Sequence, residues 1–340
     1  MIDLGSDTLT KPTPAMRAAI AAAEVGDDVF GEDPTVALLE AKIAELLGKA
    51  AAMFVPSGSM SNLIGLRLHC GGGDEFLAET DCHIVRYEQA SFAQLFGIAA
   101  QPIQGERGVL KVDQLSEKIR PHDMHCAQTR LICLENTHNY AGGRIQPYET
   151  VESICSWAAE HGLARHLDGA RLFNAVVASG IPAAQWAQHF DTVSVCFSKG
   201  LGAPVGSALC GTSEAIDRAR WHRKALGGAM RQVGVIAAAA VYALDHHIDR
   251  LAEDHQKAQR LAAAIKATKG LTLHGDQVDT NIVNFDVEES VGTAEEFCNR
   301  LLEKGVRMLP TKRYFVRAVT HLDVSMSDID RVAELIAEDW

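Results

Sequence analysis

The stretch from Thr192 to Gly206 constrains the fold most, because a short apolar and β-branched run ends there in a lysine and several glycines. Residues Thr192 to Phe197 have the length and composition of a buried strand. Lys199 follows this strand, and the glycines beyond it leave room for a ligand beside its side chain. An amine in an apolar pocket loses its proton more readily, and the neutral amine is the nucleophile that forms a Schiff base. A lysine that reaches solvent from the strand end is the simpler alternative.

A nucleotide-binding loop is the other function that these glycines allow. Their spacing, Gly200-x-Gly202-x-x-x-Gly206, is one residue longer than the dinucleotide fingerprint. That fingerprint also follows the first strand of its fold, whereas this segment lies in the second half of the chain. A nicotinamide-dependent oxidoreductase is therefore a weak alternative to an enzyme that uses a lysine Schiff base.

A second ligand-binding signal follows a short apolar strand predicted over residues 51–55. Ser57, Gly58 and Ser59 connect this strand to a helix predicted from about Met60. Such a turn directs backbone N–H groups and the positive end of the helix dipole at an anion. No Walker lysine is present, so the pattern favours a phosphate group over a nucleoside triphosphate. A capped helix after a tight turn is the alternative.

Polar residues also end two further predicted strands. Glu135 to Asn139 follow a strand over 130–134, and Asp168 follows a strand over 163–167. The carboxyl ends of parallel strands form the edge of an α/β sheet at which ligands bind. Buried there, Asp168 needs a positive or N–H partner, and Arg171 or a bound pyridinium would supply one. A metal pair with the preceding histidine would lack a third ligand, so no metal site is predicted.

The composition of the 340 residues is that of a soluble globular enzyme, with 47% hydrophobic and 22% charged residues. The formal net charge of −12 argues against nucleic acid or an anionic membrane as the partner. The eight cysteines are scattered without a C-x-x-C pair, which indicates free thiols in a reducing compartment. No signal peptide or membrane-spanning apolar run is recognised, and we expect a cytoplasmic protein.

The pattern of predicted elements changes within residues 240–270. We expect a large domain over residues 1–245, which begins with an N-terminal arm over 1–14, and a small C-terminal α+β domain over 246–340. Arg317 lies on a late strand of the small domain. An arginine there is commonly a surface residue, but its guanidinium is also the natural bidentate partner of a carboxylate.

Several segments, taken in order, resemble those of the low-specificity L-threonine aldolases. They are SDT, GDDVFGEDP, PSGSMSN, LENTHN, HLDGAR, SKGLGAPVG, GGAMRQ and VTHLDVS. That family consists of enzymes that use pyridoxal 5'-phosphate (PLP) and have the aspartate-aminotransferase fold, called fold type I. The resemblance implies an α/β fold, with a mostly parallel seven-stranded sheet in a large PLP-binding domain. It also implies a homotetramer built as a dimer of dimers, with sites at subunit interfaces.

The resemblance assigns roles around the cofactor. It implies that Lys199 forms the Schiff base with PLP, that Asp168 pairs with the pyridine nitrogen, and that Arg171 lies near the ring hydroxyl. It implies that His83 stacks on the ring and that Arg231 comes from the neighbouring subunit. The residues that it places around the phosphate are Ser57, Gly58, Ser59, Lys224 and Arg231.

The resemblance also implies a reaction, the cleavage of L-threonine, L-allo-threonine and related L-β-hydroxy-α-amino acids to glycine and an aldehyde. Ser6 and Arg317, with Arg171 beside them, would hold the substrate carboxylate. His125 matches a family histidine near the β-hydroxyl, and the base is left open between His83, His125 and a water. A β-eliminating lyase or an aminotransferase on the same scaffold is the nearest alternative, and a catalytically silent PLP-binding relative is a more distant one.

The chain departs from the family pattern at a few positions. Phe30 stands where the family usually has a tyrosine, and Gly5 replaces a usual arginine. The segment Tyr140-Ala141-Gly142-Gly143 replaces a shorter Gly-Lys segment, and Ser59 replaces a threonine. These departures bear on substrate preference more than on fold or cofactor.

Overall fold

Two larger β-sheets and one short strand pair organise the chain, and the computed structural model describes residues 1–338. In chain order the strands are β1 (Ile2–Asp3), β2 (Ala51–Val55), β3 (Asp74–Glu79), β4 (Ala99–Ile103), β5 (Gln128–Glu135), β6 (Ala164–Gly169), β7 (Thr192–Cys196), β8 (Ser207–Gly211), β9 (Leu271–Leu273), β10 (Ile282–Val287), β11 (Val306–Arg307), β12 (Leu309–Lys312) and β13 (Phe315–Val319). The helices are α1 (Pro14–Ala21), α2 (Pro34–Leu46), α3 (Gly58–His69), α4 (His83–Arg86), α5 (Ser91–Phe96), α6 (Tyr148–Glu160), α7 (Leu172–Ser179), α8 (Ala183–Ala187), α9 (Ser213–Ala225), α10 (Gly234–His246), α11 (Leu251–Ala267), α12 (Ala294–Glu303) and α13 (Met326–Ile336). Short 3₁₀ turns occupy Asp7–Leu9, Asp28–Phe30 and Val112–Gln114.

The large sheet has seven strands in the order β2-β8-β7-β6-β5-β3-β4. All neighbouring pairs are parallel except those of β8, which runs antiparallel to both β2 and β7. Strands β7 and β8 are buried at every position, which explains why they read as continuous apolar runs rather than as alternating patterns. The predicted mostly parallel seven-stranded sheet of an α/β fold is therefore confirmed.

The C-terminal part forms an antiparallel sheet in the order β12-β13-β10-β9. Helices α11, α12 and α13 pack on it around a separate hydrophobic cluster that includes Phe285 and Phe297. The N-terminal arm joins this part, because β1 pairs with β11 and Leu4 is completely buried in the same cluster. Along α11, Leu251 belongs to the core of the large sheet, whereas residues from Ala258 onward belong to the C-terminal core. A domain boundary at 245/246 stays a proposal.

Neither a membrane span nor a disulfide organises the described part of the chain. None of the helices within residues 1–338 combines the length and the apolar composition needed to cross a bilayer. All eight cysteines carry free thiols, and Cys126 is the one that is not buried. The cysteines therefore contribute to the core as small apolar side chains.

Candidate active site

A cavity of about 360 Å³ opens at the carboxyl ends of the parallel strands, where the large sheet faces β13. The predicted site residues that line it are Ser6, His83, Arg171, Lys199 and Arg317. These residues come from distant segments of the sequence, and the fold brings them together. A larger cavity, of about 590 Å³ between α11 and α13, contains none of the predicted site residues.

Lys199 lies in the loop that follows β7. Its carbonyl oxygen accepts hydrogen bonds from the Thr10 hydroxyl (3.0 Å) and the Gly202 amide (2.8 Å), which fixes the backbone at this point. Its Nζ atom lies 3.7 Å from Cys196 Sγ. No carboxylate within residues 1–338 lies at ion-pair distance from this amine. The half-buried lysine therefore presents an amine without a counter-ion to the cavity.

Helix α3 begins beside Lys199 at Gly58, two residues before the predicted start at about Met60. A Cβ atom at Gly58 would lie 2.6 Å from Cys196 Sγ, so the close approach of helix and strand requires glycine. The Ser57 hydroxyl caps the helix by accepting from the Met60 amide at 3.2 Å. The amides of Gly58 and Ser59 belong to the first turn, where no intrahelical acceptor exists. This terminus can hold an anion, although Ser59 lines an adjoining cavity of about 460 Å³ rather than the one at Lys199.

Asp168 ends β6 and is 1% exposed. Its carboxylate accepts hydrogen bonds from Asn62 Nδ2 (2.9 Å) and from the Ala170 amide (3.0 Å). The interpretation that Arg171 pairs with Asp168 is wrong, because the Arg171 guanidinium binds a different carboxylate. In the described part of the chain Asp168 is held by N–H donors and by no arginine or lysine, so its charge is available to a cationic ring.

Arg171 forms a buried bidentate ion pair with Asp7, at 2.7 Å from Nε and 2.6 Å from Nη2. Burial alone would raise the pKa of Asp7, but the charge and hydrogen bonds of Arg171 hold that pKa well below its usual value, with Lys199 and Arg317 contributing. Asp7 is therefore ionised and holds Arg171 at the cavity. Asn281 Nδ2 donates a further hydrogen bond to the Asp7 carboxylate at 3.2 Å.

Arg317 projects from β13 toward the same place. Its Nη2 donates to Asn139 Oδ1 at 3.0 Å, and Arg171 Nη1 donates to the same oxygen at 3.0 Å. Burial and the neighbouring Arg171 charge lower the pKa of Arg317 to about 10, against the opposing effect of Asp7. The group stays cationic at neutral pH. Its buried Nε has no acceptor within residues 1–338. This half-buried guanidinium has no carboxylate of its own within the described residues, so it can bind a carboxylate from outside.

His83 begins α4 and faces the cavity. Its backbone amide donates to Glu135 Oε2 (2.6 Å), and its ring Nδ1 lies 2.8 Å from Glu88 Oε1. Its ring packs at a tilt against Tyr87, with centroids 5.6 Å apart. Burial alone would lower the pKa of His83, but the hydrogen bond to Glu88 and the charges of Asp168 and Glu135 raise it above the ordinary value.

Asp168 and residues 57–59 do not line this cavity. Three further predicted site residues also lie outside it, on the exposed surface. His125 is in the exposed loop before β5, at the opposite end of the sheet, and its ring bonds Asp123 at 2.7 Å. Lys224 is an exposed residue near the end of α9, and the exposed Arg231 pairs with Asp27 at 3.0 Å. Their assigned roles stay predictions, and His125 and Arg231 would need a second subunit to bring their side chains to the cavity.

Other residues at the site had no role assigned from the sequence. Asn139 and Glu135 were expected at the sheet edge, but their function as anchors of Arg317 and His83 was not. Asn62 lies one helical turn after Gly58, a spacing that places both on one face of α3. Glu88 carries no signal in the sequence beyond its closeness to His83.

The comparisons with known proteins agree with this geometry. The family described as "Beta-eliminating lyase" matches residues 3–288. "Low-specificity L-threonine aldolase 1" of Arabidopsis thaliana is 42% identical over 96% of this chain and 93% of its own length. "Low specificity L-threonine aldolase" of Escherichia coli K12 is 43% identical over 98% of this chain and 97% of its own length.

Solved structures agree on the fold. The threonine aldolase of Leishmania major superposes with a TM-score of 0.84 at 22% identity, over 99% of this chain and 98% of its own. The serine palmitoyltransferase of Sphingomonas wittichii superposes with a TM-score of 0.78 at 19% identity, over 99% and 86% of the two chains. At these identities the likeness establishes the fold type alone.

The residues present fit PLP. Among residues 1–338, Lys199 offers an amine without a counter-ion, and Asp168 is a buried carboxylate held by N–H donors. Helix α3 offers an N-terminus that begins at a glycine. An aldehyde, a pyridine nitrogen and a phosphate require these three groups in turn. PLP is the cofactor, and the enzyme is a PLP-dependent lyase. The chain therefore belongs to the beta-eliminating lyase family and, within it, to the low-specificity L-threonine aldolases.

Proposed function

We propose that this enzyme cleaves the Cα–Cβ bond of L-threonine, L-allo-threonine and related L-β-hydroxy-α-amino acids, and releases glycine and an aldehyde. The observation that carries the proposal is that Lys199 and Arg317 line one cavity. Within the described residues, Lys199 has no counter-ion and the buried Nε of Arg317 has no acceptor. The Lys199 amine can give up its carbonyl partner to the amino group of an α-amino acid. The Arg317 guanidinium can bind the carboxylate of the same molecule. The reaction itself is the one named for the relatives.

In this proposal Arg317 holds the substrate carboxylate, with Ser6 and Arg171 beside it. Asn139 accepts from both guanidinium groups and so fixes their spacing. Holding the carboxylate in one place decides which bond at Cα is aligned for cleavage, because orientation is a large part of the barrier. We assign Arg317 the positioning of the substrate and Asp7 the positioning of Arg171.

PLP, when bound, supplies the electron sink that receives the electron pair of the broken bond. Lys199 holds the cofactor covalently, and the negative Asp168 favours a protonated ring nitrogen. The groups that we assign to its phosphate are Ser57, Gly58, Ser59, Lys224 and Arg231. A base must also take the β-hydroxyl proton. His83 lines the cavity, and His125 of another subunit or a water is the alternative.

The test of this function is a product assay. The purified protein is incubated with L-threonine, and acetaldehyde and glycine are measured beside ammonia and keto acid. We expect acetaldehyde and glycine in equal amounts. Ammonia with a keto acid would instead assign the enzyme to β-elimination or transamination, the alternatives that this fold type also supports.

We also propose that the enzyme is a homotetramer. His125, Lys224 and Arg231 lie away from the cavity that they are expected to complete. A buried ion pair between Asp28 and Arg223 (2.7 Å) holds the turn that carries Phe30 against α9. Phe30 is 73% exposed, and Trp221 on α9 is 80% exposed. Exposed aromatic side chains of this size are typical of subunit interfaces.

The cytoplasmic location is likewise a proposal, supported by the free thiols.

Trp221→Glu tests the subunit interface. A charge at this position would have to be buried in the assembly, so we expect light scattering to give a smaller species than for the natural protein. Leu302→Glu, at an exposed leucine of α12, is the control and should leave the mass unchanged. An unchanged mass for Trp221→Glu would remove this surface from the interface.

Tyr140 separates the site from a neighbouring cavity. That cavity, of about 500 Å³, shares Tyr140 and Phe315 with the site in its lining. The Tyr140 ring is held by the Arg86 guanidinium, 4.2 Å from its centroid, and by the Lys312 ammonium at 5.3 Å. The inserted segment that the sequence singled out thus supplies part of a wall beside the substrate.

Tyr140→Ala should join the two cavities and favour substrates with bulky groups on the β-carbon. We expect kcat/KM for L-phenylserine relative to L-threonine to rise by about tenfold, the effect of a modest change in pocket size. Tyr314→Ala is the control, because Tyr314 lines the neighbouring cavity and not the site. An unchanged ratio in Tyr140→Ala would mean that this wall does not limit the substrate.

A further inference from the structure

Two buried carboxylates behind the cavity share one side-chain amide. Asn62 Nδ2 donates to Glu88 Oε1 and to Asp168 Oδ2, both at 2.9 Å. Glu88 Oε1 also lies 2.8 Å from His83 Nδ1. One polar atom from each of His83, Glu88 and Asp168 lies within 4.8 Å of the other two. A side-chain amide has two N–H hydrogens, so both are used to hold the carboxylates.

A chain of buried hydrogen bonds continues from the Asn62 carbonyl oxygen. Asn62 Oδ1 lies 3.2 Å from His166 Nε2, and His166 Nδ1 lies 2.9 Å from the Thr192 hydroxyl. Thr192 is in turn 2.9 Å from His69 Nε2. Burial is the main cause that lowers the pKa of His166 to about 3 and that of His69 to about 4, so both rings are neutral.

Carboxylate oxygens accept hydrogen bonds, so the NH₂ group of Asn62 is turned toward Glu88 and Asp168 and its carbonyl oxygen toward His166. A neutral imidazole has one N–H and one acceptor nitrogen, which then leaves a single consistent arrangement. His166 donates to the Asn62 carbonyl oxygen, Thr192 donates to His166, and His69 donates to Thr192. The opposite orientation of the Asn62 amide would place its oxygen against two carboxylates.

We propose that Asn62 and Glu88 are positioning residues of the active site. Asn62 fixes the two carboxylates relative to each other. Glu88 accepts the Nδ1 proton of His83 and so leaves Nε2 as the ring atom that can accept a proton in the cavity. This inference rests on the proposed aldol cleavage, because it assigns to His83 Nε2 the removal of the β-hydroxyl proton.

The charges around His83 set the sign of the expected pH effect. Glu88, Asp168 and Glu135 all favour the protonated ring, and burial disfavours it. Tyr87 packs on the ring, and Lys199 and Arg171 face it across the cavity. The protonated ring cannot act as a base, so activity should rise with pH through the pKa of His83. Removing the charge of Glu88 should lower that pKa and move the rise to lower pH.

Glu88→Gln tests the proposal, because glutamine keeps an acceptor for Nδ1–H and removes the charge. The pH dependence of His83 carbethoxylation by diethyl pyrocarbonate is measured by peptide mass spectrometry on the cofactor-free full chain. We expect the midpoint for His83 to move to lower pH. His246, an exposed residue at the end of α10 with no role at the site, is an internal control whose midpoint should not move. In the PLP-loaded enzyme we expect kcat to fall by about 10- to 100-fold, with KM little changed.

Glu88→Asp is the second variant and keeps the charge, so its His83 midpoint should stay closer to that of the natural protein. An unmoved His83 midpoint in a folded Glu88→Gln protein, or an unchanged kcat, would overturn the positioning role. The two proposals fail separately. If the natural enzyme releases acetaldehyde from L-threonine but the His83 midpoint does not move in Glu88→Gln, the role of Glu88 is contradicted. If the midpoint moves but the natural enzyme releases no acetaldehyde, the assigned reaction is contradicted.

Discussion

Lys199→Ala is expected to lower the turnover of L-threonine by a factor on the order of 10³ or more. In the proposed reaction this side chain supplies the amine that holds the cofactor covalently and that the substrate amine must replace. No other lysine lines the cavity in the part of the chain that the structure describes, so no neighbouring amine can substitute. Turnover is measured as acetaldehyde released, and the absorbance of the PLP-loaded protein near the visible edge should be lost in the same variant.

Lys269→Ala is the control for this result. Lys269 is exposed after α11 and lies outside the site cavity, so its removal should change neither turnover nor absorbance. If Lys199→Ala retained turnover within about tenfold of the natural enzyme, the chemistry would have to rest on a different amine.

Arg317→Ala should raise the KM for L-threonine by about 30- to 150-fold. A charged hydrogen bond to a carboxylate contributes about 2–3 kcal/mol, and each 1.36 kcal/mol corresponds to a factor of about ten. The buried Nε has no acceptor within residues 1–338, so the substrate carboxylate gains a donor that the folded protein does not already use. Initial rates over a range of substrate concentrations give KM and kcat separately.

Two variants make the Arg317 result specific. Arg317→Lys keeps a cation but loses the planar fork, so its KM should lie between those of the natural enzyme and Arg317→Ala. Arg313→Ala removes an exposed arginine four residues earlier in the chain and should leave KM close to that of the natural enzyme. A KM unchanged by Arg317→Ala would place the carboxylate elsewhere in the cavity.

The sequence predicted the parts of the site that depend on strand ends. Lys199 and Asp168 follow buried apolar runs, and parallel strands bring such ends to one edge regardless of the loops between them. Arg317 was placed on a strand by its pattern and assigned to the carboxylate by the family resemblance. The fold class followed in the same way, because buried strands and amphipathic helices alternate through the first part of the chain.

The parts that were missed depend on packing between elements. Asn62 on α3 meets Asp168 on β6 only because the helix lies against that strand, and no local pattern encodes this contact. Arg171, one of the two partners considered for Asp168, does not pair with it for the same reason. Arg171 is close to Asp168 in the sequence, but in the fold it pairs with the buried carboxylate of Asp7 in the N-terminal arm. The arm itself was expected to belong to the large domain, and its first residues pack on the C-terminal sheet.

His125 shows a different limit of the sequence. His125 precedes β5 and therefore lies at the amino ends of the parallel strands, opposite the cavity. Motif resemblance assigned it a role without saying from which copy of the chain it comes. Within one chain His125 lies away from the cavity, so a second copy of the chain would have to bring it to the substrate.

The most direct test of the central claim is reduction of the PLP-loaded enzyme with borohydride followed by peptide mapping. Borohydride makes the link between cofactor and protein permanent, so the modified residue can be read from the peptide masses. We predict a single pyridoxyl group on the peptide that contains Lys199. A pyridoxyl group on any other residue, or on none, would contradict the assignment on which the proposed reaction depends.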